Sequence, residues 1–298
     1  MSVEDIKSRL KGVFAFPITP YKPEDWSELD EEGLRENIRF LVKNGVYNIV
    51  PCGGTGEIDY LTEKEHLTAT SIVLEEAGDK ALVVPTLPGS IKRSIEFVED
   101  LNSLGADIFL AFPPPSDEAG ILSYYRALSD RIEGFLMLYN RRGDWSLELI
   151  SKLATIKNVV AIKDEKSDLG KFYEIVQLVG DKVVLIGGID HTRCIVPYYF
   201  MVGMKGFTCG LINFMPKPEL EIYEAAVKKD YDRVVEIQKS LGPIFSMRKR
   251  FGHISMVKEA MNLVGLHGGS HRPPQKPLTE EQRNLLKGEL ERLGLIKA

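Results

Sequence analysis

Val159-Val160-Ala161-Ile162-Lys163-Asp164-Glu165 opens with an apolar run of strand length, closed by Lys163 and followed by two acids. Such a run marks a strand buried on both faces, as in a parallel sheet covered by helices. The stretch before it, Gly134-Phe135-Leu136-Met137-Leu138-Tyr139-Asn140, follows the same pattern, with Tyr139 closing its apolar run. Working outward, six further runs appear: Gly12 to Ile18, Tyr47 to Cys52, Ala81 to Leu87, Asp107 to Phe112, Lys182 to Gly188 and Gly206 to Gly210. Amphipathic segments lie between them. Leu34, Ile38, Leu41 and Val42 share one helical face, as do Phe172, Ile175, Val176 and Val179. Eight strand-helix units close a TIM (β/α)8 barrel, an α/β fold, with an open doubly wound sheet as the alternative.

Thr62, Ser116 and Ser146 each precede acidic residues and read as helix N-caps. After the eighth strand the alternation stops, and helical patterns run from Pro218 to Leu241, Ile254 to Leu266 and Thr279 to Leu293. The chain thus divides into a barrel, 1–217, and a C-terminal helical extension, 218–298, holding the final barrel helix. The glycines and prolines between His267 and Pro277 make that segment a loop.

A chain of 298 residues with 44% hydrophobic content can fill one large core. The net charge of −5, with basic and acidic residues interspersed, offers no face for nucleic acid. The acidic, polar start and strand-length apolar runs imply a soluble, cytoplasmic protein with no membrane partner. Cys52, Cys194 and Cys209 are odd in number and widely spaced, which reads as small buried hydrophobes rather than a disulfide framework or a zinc site. His267 and His271 flank Gly-Gly-Ser, and no His-Glu-x-x-His motif occurs, so no metal is expected.

Barrel active sites form at the C-terminal strand ends. Gly53-Gly54-Thr55-Gly56-Glu57, Tyr139-Asn140-Arg141-Arg142, Lys163-Asp164-Glu165, Gly187-Gly188-Ile189-Asp190 and Thr208 all fall there. A lysine amine becomes nucleophilic where burial disfavours its charged form, so Lys163 beside Tyr139 points to imine chemistry with the phenol moving protons. Gly54 and Thr55 can hold the carboxylate of a 2-oxo acid through backbone amides and a hydroxyl, though an ordinary tight turn has the same sequence. Arg141 is the preferred carboxylate ligand, whereas Arg142 faces solvent or a partner. Asp164 and Glu165 read as structural or loop-orienting acids. His66 and His253 read as surface or structural histidines, and His191 stands where the helix after the seventh strand opens.

These residues resemble the dihydrodipicolinate synthase and N-acetylneuraminate lyase family. Phe16-Pro17-Ile18-Thr19-Pro20, Gly53 to Glu57, Tyr139-Asn140, Ile162-Lys163-Asp164 and Gly206 to Asn213 carry the resemblance over nearly the whole chain. It implies Lys163 as the Schiff-base lysine, Tyr139 as proton relay, Thr55 as carboxylate ligand, Thr208 near the bound oxo acid, and a homotetramer. Gly54 stands where the family's first turn threonine is usual, and Phe112-Pro113-Pro114-Pro115 replaces a Tyr-Tyr pair. With Tyr139-Asn140-Arg141, Asn213-Phe214-Met215-Pro216 and Arg272-Pro273-Pro274, these departures resemble the 5-dehydro-4-deoxyglucarate dehydratase branch. Arg142-Gly143-Asp144-Trp145 and Glu165-Lys166 depart from that branch.

The expected reaction is attack of neutral Lys163 on the ketone of a 2-oxo-3-deoxy sugar acid, then proton loss, departure of water and, by resemblance, decarboxylation. No metal or organic cofactor is required. An aldolase breaking a carbon–carbon bond through the same iminium, and a noncatalytic sugar-acid-binding barrel, are the alternatives.

Overall fold

A computed structural model describes residues 2–188 and 194–297. Strands β1 (Gly12–Ala15), β2 (Tyr21–Lys22), β3 (Asp25–Leu29), β4 (Asn48–Ile49), β5 (Leu82–Val83), β6 (Thr86–Leu87), β7 (Ile108–Ala111), β8 (Phe135–Asn140), β9 (Val159–Asp164), β10 (Val184–Gly187) and β11 (Gly206–Thr208) alternate with helices along most of the chain. All but β2 and β3 join one parallel sheet in the order β5-β4-β1-β11-β10-β9-β8-β7-β6. Its two ends are halves of the third run, divided at Val84-Pro85. Proline has no amide hydrogen to give a ladder, so the strand changes partners there. Val84 donates to the Ile49 carbonyl at 2.8 Å, and Leu110 donates to that of Pro85 at 2.8 Å, which closes the ring. The fold is a TIM barrel with C-terminal helices.

Side chains alternate across this wall. Val13 and Ala15 pack in the cluster shared with the surrounding helices, whereas Phe14 and Phe16 belong to a second cluster with Val50, Val84, Leu110, Met137, Tyr139, Ala161 and Ile186. The second cluster is the filled barrel interior. Ile6 and Leu10 join it from the Val3–Arg9 helix and its C-cap, plugging the N-terminal end.

Thr62 and Ser146 cap their helices, accepting from the amides of Glu65 and Leu149. The cap expected at Ser116 falls instead at Asp117, whose carboxylate accepts from Gly120 N at 2.8 Å. The pattern from Pro218 to Leu241 is two helices, Pro216–Val227 and Tyr231–Ser240. Left-handed Lys229, at φ 62°, and the Asp230 cap separate them. Both bury residues in the same cluster, so the apolar spacing carries on through the break. Residue 217 lies in the first turn of the former helix, and that one cluster includes residues on both sides of it.

Three further elements follow: Gly242–Phe251, a helix absent from the sequence reading, then His253–Leu263 and Glu280–Arg292. Among the described residues, no helix is long and apolar enough to cross a membrane.

Candidate active site

Strands β8 and β9 run parallel with Tyr139 opposite Lys163 and Asn140 opposite Asp164. Period-two alternation therefore turns Tyr139 and Lys163 to one side and Asn140 and Asp164 to the other. Lys163 is 4% exposed, with its Nζ 3.9 Å from the centroid of the Tyr139 ring and 4.8 Å from that of Phe16. Burial among these rings pushes its amine below the usual lysine range, although Glu165, whose Oε1 lies 3.6 Å away, pulls in the opposite direction. Burial and the neighbouring Glu165 carboxylate push the Tyr139 phenol well above its usual range, so it keeps its proton.

Asp164 behaves as the structural acid expected, accepting from Asn140 Nδ2 at 2.7 Å. Glu165 does not. The Tyr139 hydroxyl donates to Glu165 Oε2, which places both oxygens of this carboxylate in the site. Its position extends the pleat: Ala161 and Lys163 share one face of β9 and Glu165 follows at the same two-residue step just past the strand, as Arg141 follows Met137 and Tyr139 past β8. That spacing was the available signal.

The turn after β4 carries Thr55 on a backbone whose flanks, Cys52 and Glu57, are both left-handed, at φ 53° and 64°. Such conformations persist only where surroundings hold them. The Glu57 carboxylate meets Lys258 Nζ at 2.7 Å with both side chains 0% exposed, and Lys258 also donates to the Ser270 carbonyl at 2.9 Å. Burial pushes Glu57 up and Lys258 down, each toward its neutral form, while their mutual attraction opposes both shifts. Arg272, from the loop before the last helix, pairs with Glu65 at 2.6 Å and lies 4.0 Å from the centroid of the Tyr21 ring. The C-terminal extension thereby braces the turn.

The same extension supplies His253, whose Nε2 is 2.8 Å from Thr55 Oγ1. Burial, then Arg248 and Lys163, depress this imidazole to about 3, so it stays neutral. His253 is thus a site residue rather than a surface one. Neither it nor Arg248 shows a motif, because both come from helices remote in sequence.

Gly54, Thr55, Tyr139, Arg141, Lys163, Gly188 and Thr208 all line one cavity of about 300 Å³, together with Phe16, Glu165, Cys209, Gly210, Arg248 and His253. Arg141 is partly committed, with Nη2 3.1 Å from Asp59 Oδ2 and its guanidinium carbon 5.4 Å from the centroid of the Phe112 ring. Arg248 forms no ion pair with a described residue. A Cβ on Gly188 would meet Glu165 Cγ at 3.1 Å, so a larger residue there presses on that side chain. A wider hollow of about 950 Å³ shares Arg141 and Glu165 and is walled by Pro113, Pro114, Pro115 and Arg142. His191, Ile189 and Asp190 lie outside the described residues. Among those described, no group of three or more His, Cys, Asp or Glu is placed to hold a metal ion.

The profile of the dihydrodipicolinate synthetase family matches residues 9–293. The chain belongs to this family. It is 32% identical, over 95% of its length and 99% of the relative's, to the 4-hydroxy-tetrahydrodipicolinate synthase of Methanospirillum hungatei. It is 27% identical, over 97% of each chain, to a probable 5-dehydro-4-deoxyglucarate dehydratase of Bacillus licheniformis. The crystal structure of dihydrodipicolinate synthase from Oceanobacillus iheyensis superposes with a TM-score of 0.92 at 26% identity, covering 99% of this chain and 100% of that one. Synthases and dehydratases of this family are lyases, and membership carries that class to this chain.

Proposed function

We propose that this lyase forms a Schiff base between Lys163 and a 2-oxo-3-deoxy sugar acid, removes water from it, and decarboxylates the product, with 5-dehydro-4-deoxyglucarate as the substrate. The observation that carries the imine is the buried Lys163 amine set 3.9 Å from the centroid of the Tyr139 ring, with its charged form disfavoured. Thr55 and the Gly54 amide bind the carboxylate next to the ketone, and Thr208 and Gly188 border the reacting carbons. Arg141 and Arg248 give the cavity two guanidiniums besides the lysine. Two guanidiniums in one lining suit a substrate with a carboxylate at each end.

In the reaction, iminium formation makes C3 acidic by providing an electron sink at C2. Loss of that proton gives an enamine, and its collapse expels the C4 hydroxyl as water once Tyr139 protonates it. The C5–C6 bond of the conjugated iminium then breaks, its electron pair passing through C4 and C3 to C2 and nitrogen as carbon dioxide leaves; protonation at C3, tautomerisation of the C5 enol and hydrolysis of the imine free the five-carbon dioxo acid and Lys163. The homotetramer belongs to the same proposal, and sedimentation velocity reads it.

Relatives at 32% and 31% identity bear the synthase name, which favours carbon–carbon chemistry at the same iminium as a second reading. Incubating the protein with 5-dehydro-4-deoxyglucarate and following products by mass spectrometry separates the two. Release of carbon dioxide with a five-carbon dioxo acid supports the dehydratase. A three-carbon oxo acid released instead supports the aldolase.

A further inference from the structure

We propose that Glu165 is the acid–base residue that takes the C3 proton of the bound oxo acid and passes it through Tyr139 to the departing hydroxyl, a role that rests on the Schiff-base reading above.

Position is the first argument. C3 of an oxo acid bound to Lys163 lies two bonds from Nζ, and Glu165 Oε1 lies 3.6 Å from that nitrogen at the same cavity wall. The other carboxylates nearby are committed elsewhere: Asp59 pairs with Arg141, and Asp164 turns away to Asn140. His253 is joined to Thr55.

Connectivity is the second. Among the described residues, the hydrogen bond of the Tyr139 hydroxyl goes to Glu165. Phe112 meets the same ring edge-on, with centroids 5.0 Å apart, and offers no polar atom; Gly54 has no side chain to offer. A phenol that holds its proton this firmly donates only if it is resupplied as it does so, and Glu165 is in place to resupply it. The Glu165 side chain is 39% exposed, so its proton also exchanges with water.

The step balances without a co-reactant. The C3–H bond breaks, its electron pair forms C2=C3, the iminium π pair returns to nitrogen, and Glu165 takes the proton. The nitrogen pair then re-forms C2=N as C3=C4 forms and C4–O breaks. Tyr139 gives its proton to the leaving oxygen and receives the one on Glu165. One water is formed, and both side chains return to their starting states.

Deuterium exchange isolates the first half of this sequence. Full-length protein is incubated with pyruvate in D2O, methyl deuteration is followed by NMR, and the imine is trapped in parallel with borohydride. The wild type is expected to trap at Lys163 and to exchange. E165Q, at a partly exposed position that leaves the fold intact, is expected to trap as well but to exchange about 10²-fold more slowly or worse. E165D should recover part of the rate. Exchange in E165Q at the wild-type rate overturns the role of Glu165 while leaving the Schiff base standing. Loss of trapping in E165Q alone also overturns it, by placing Glu165 in imine formation. Absence of any wild-type adduct overturns the Schiff-base reading itself.

Discussion

Lys258→Met tests how strongly the C-terminal extension holds the turn that carries Thr55. The Lys258–Glu57 pair is separated by 2.7 Å, with both side chains fully buried. Removing the ammonium leaves a carboxylate enclosed by protein, and the Ser270 carbonyl loses a donor at 2.9 Å. Breaking a buried pair in this way costs about 3–5 kcal/mol, whereas removing both charges costs much less because no uncompensated ion remains. Urea unfolding of Lys258→Met, Glu57→Gln and the double variant forms a cycle in which the double variant should be less damaged than the sum of the singles, by about 2 kcal/mol or more. The oxo-acid KM of Lys258→Met should rise several-fold, since Glu57 closes the Thr55 turn in a left-handed conformation. A single-variant loss below about 1 kcal/mol, or a double variant as damaged as the sum of the singles, refutes the reasoning.

Imine formation should accelerate with pH toward a plateau whose midpoint lies below the ordinary lysine value of 10.5, because only the neutral amine attacks. Glu165→Gln should lower that midpoint further, since Glu165 raises it; stopped-flow trapping across pH reads both, and an upward shift contradicts the assignment. His66, buried against Phe97, is held at about 4 instead of 6.5. The unfolded chain therefore binds this proton first, and stability falls as pH drops from 6.5 to about 4, by about 3 kcal/mol in all. His66→Gln should lack that part of the acid slope in urea titrations, and an unchanged slope rules it out. Gly188→Ala should displace Glu165, which a Cβ meets at 3.1 Å, and cut turnover at least tenfold while thermal stability changes little. Wild-type turnover there removes Gly188 from the account.

Much of the architecture was legible because parallel strands buried on both faces read as unbroken apolar runs. β8 and β9 extend one residue or less from the runs that announced them. The third strand reads as continuous in the sequence because Pro85 interrupts hydrogen bonding without interrupting hydrophobicity. The Gly242–Phe251 helix was hidden by the Gly-Pro at its start, which signals a turn as readily as a first helical turn. In the site, residues placed at strand ends were visible from the barrel rule alone. Glu165 is legible in principle by its two-residue offset from Lys163, but an acid next to another acid just past a strand end reads as a structural or loop-orienting residue. Arg248 and His253 were not legible, since only tertiary packing carries the extension back over the barrel mouth.

Whether Lys163 forms an imine is read most directly by borohydride reduction of the protein with a 2-oxo-3-deoxy sugar acid, followed by peptide mapping. One reduced adduct is expected on the peptide containing Lys163, lost in Lys163→Ala. Failure to trap any adduct, or trapping on another lysine in the wild type, contradicts it.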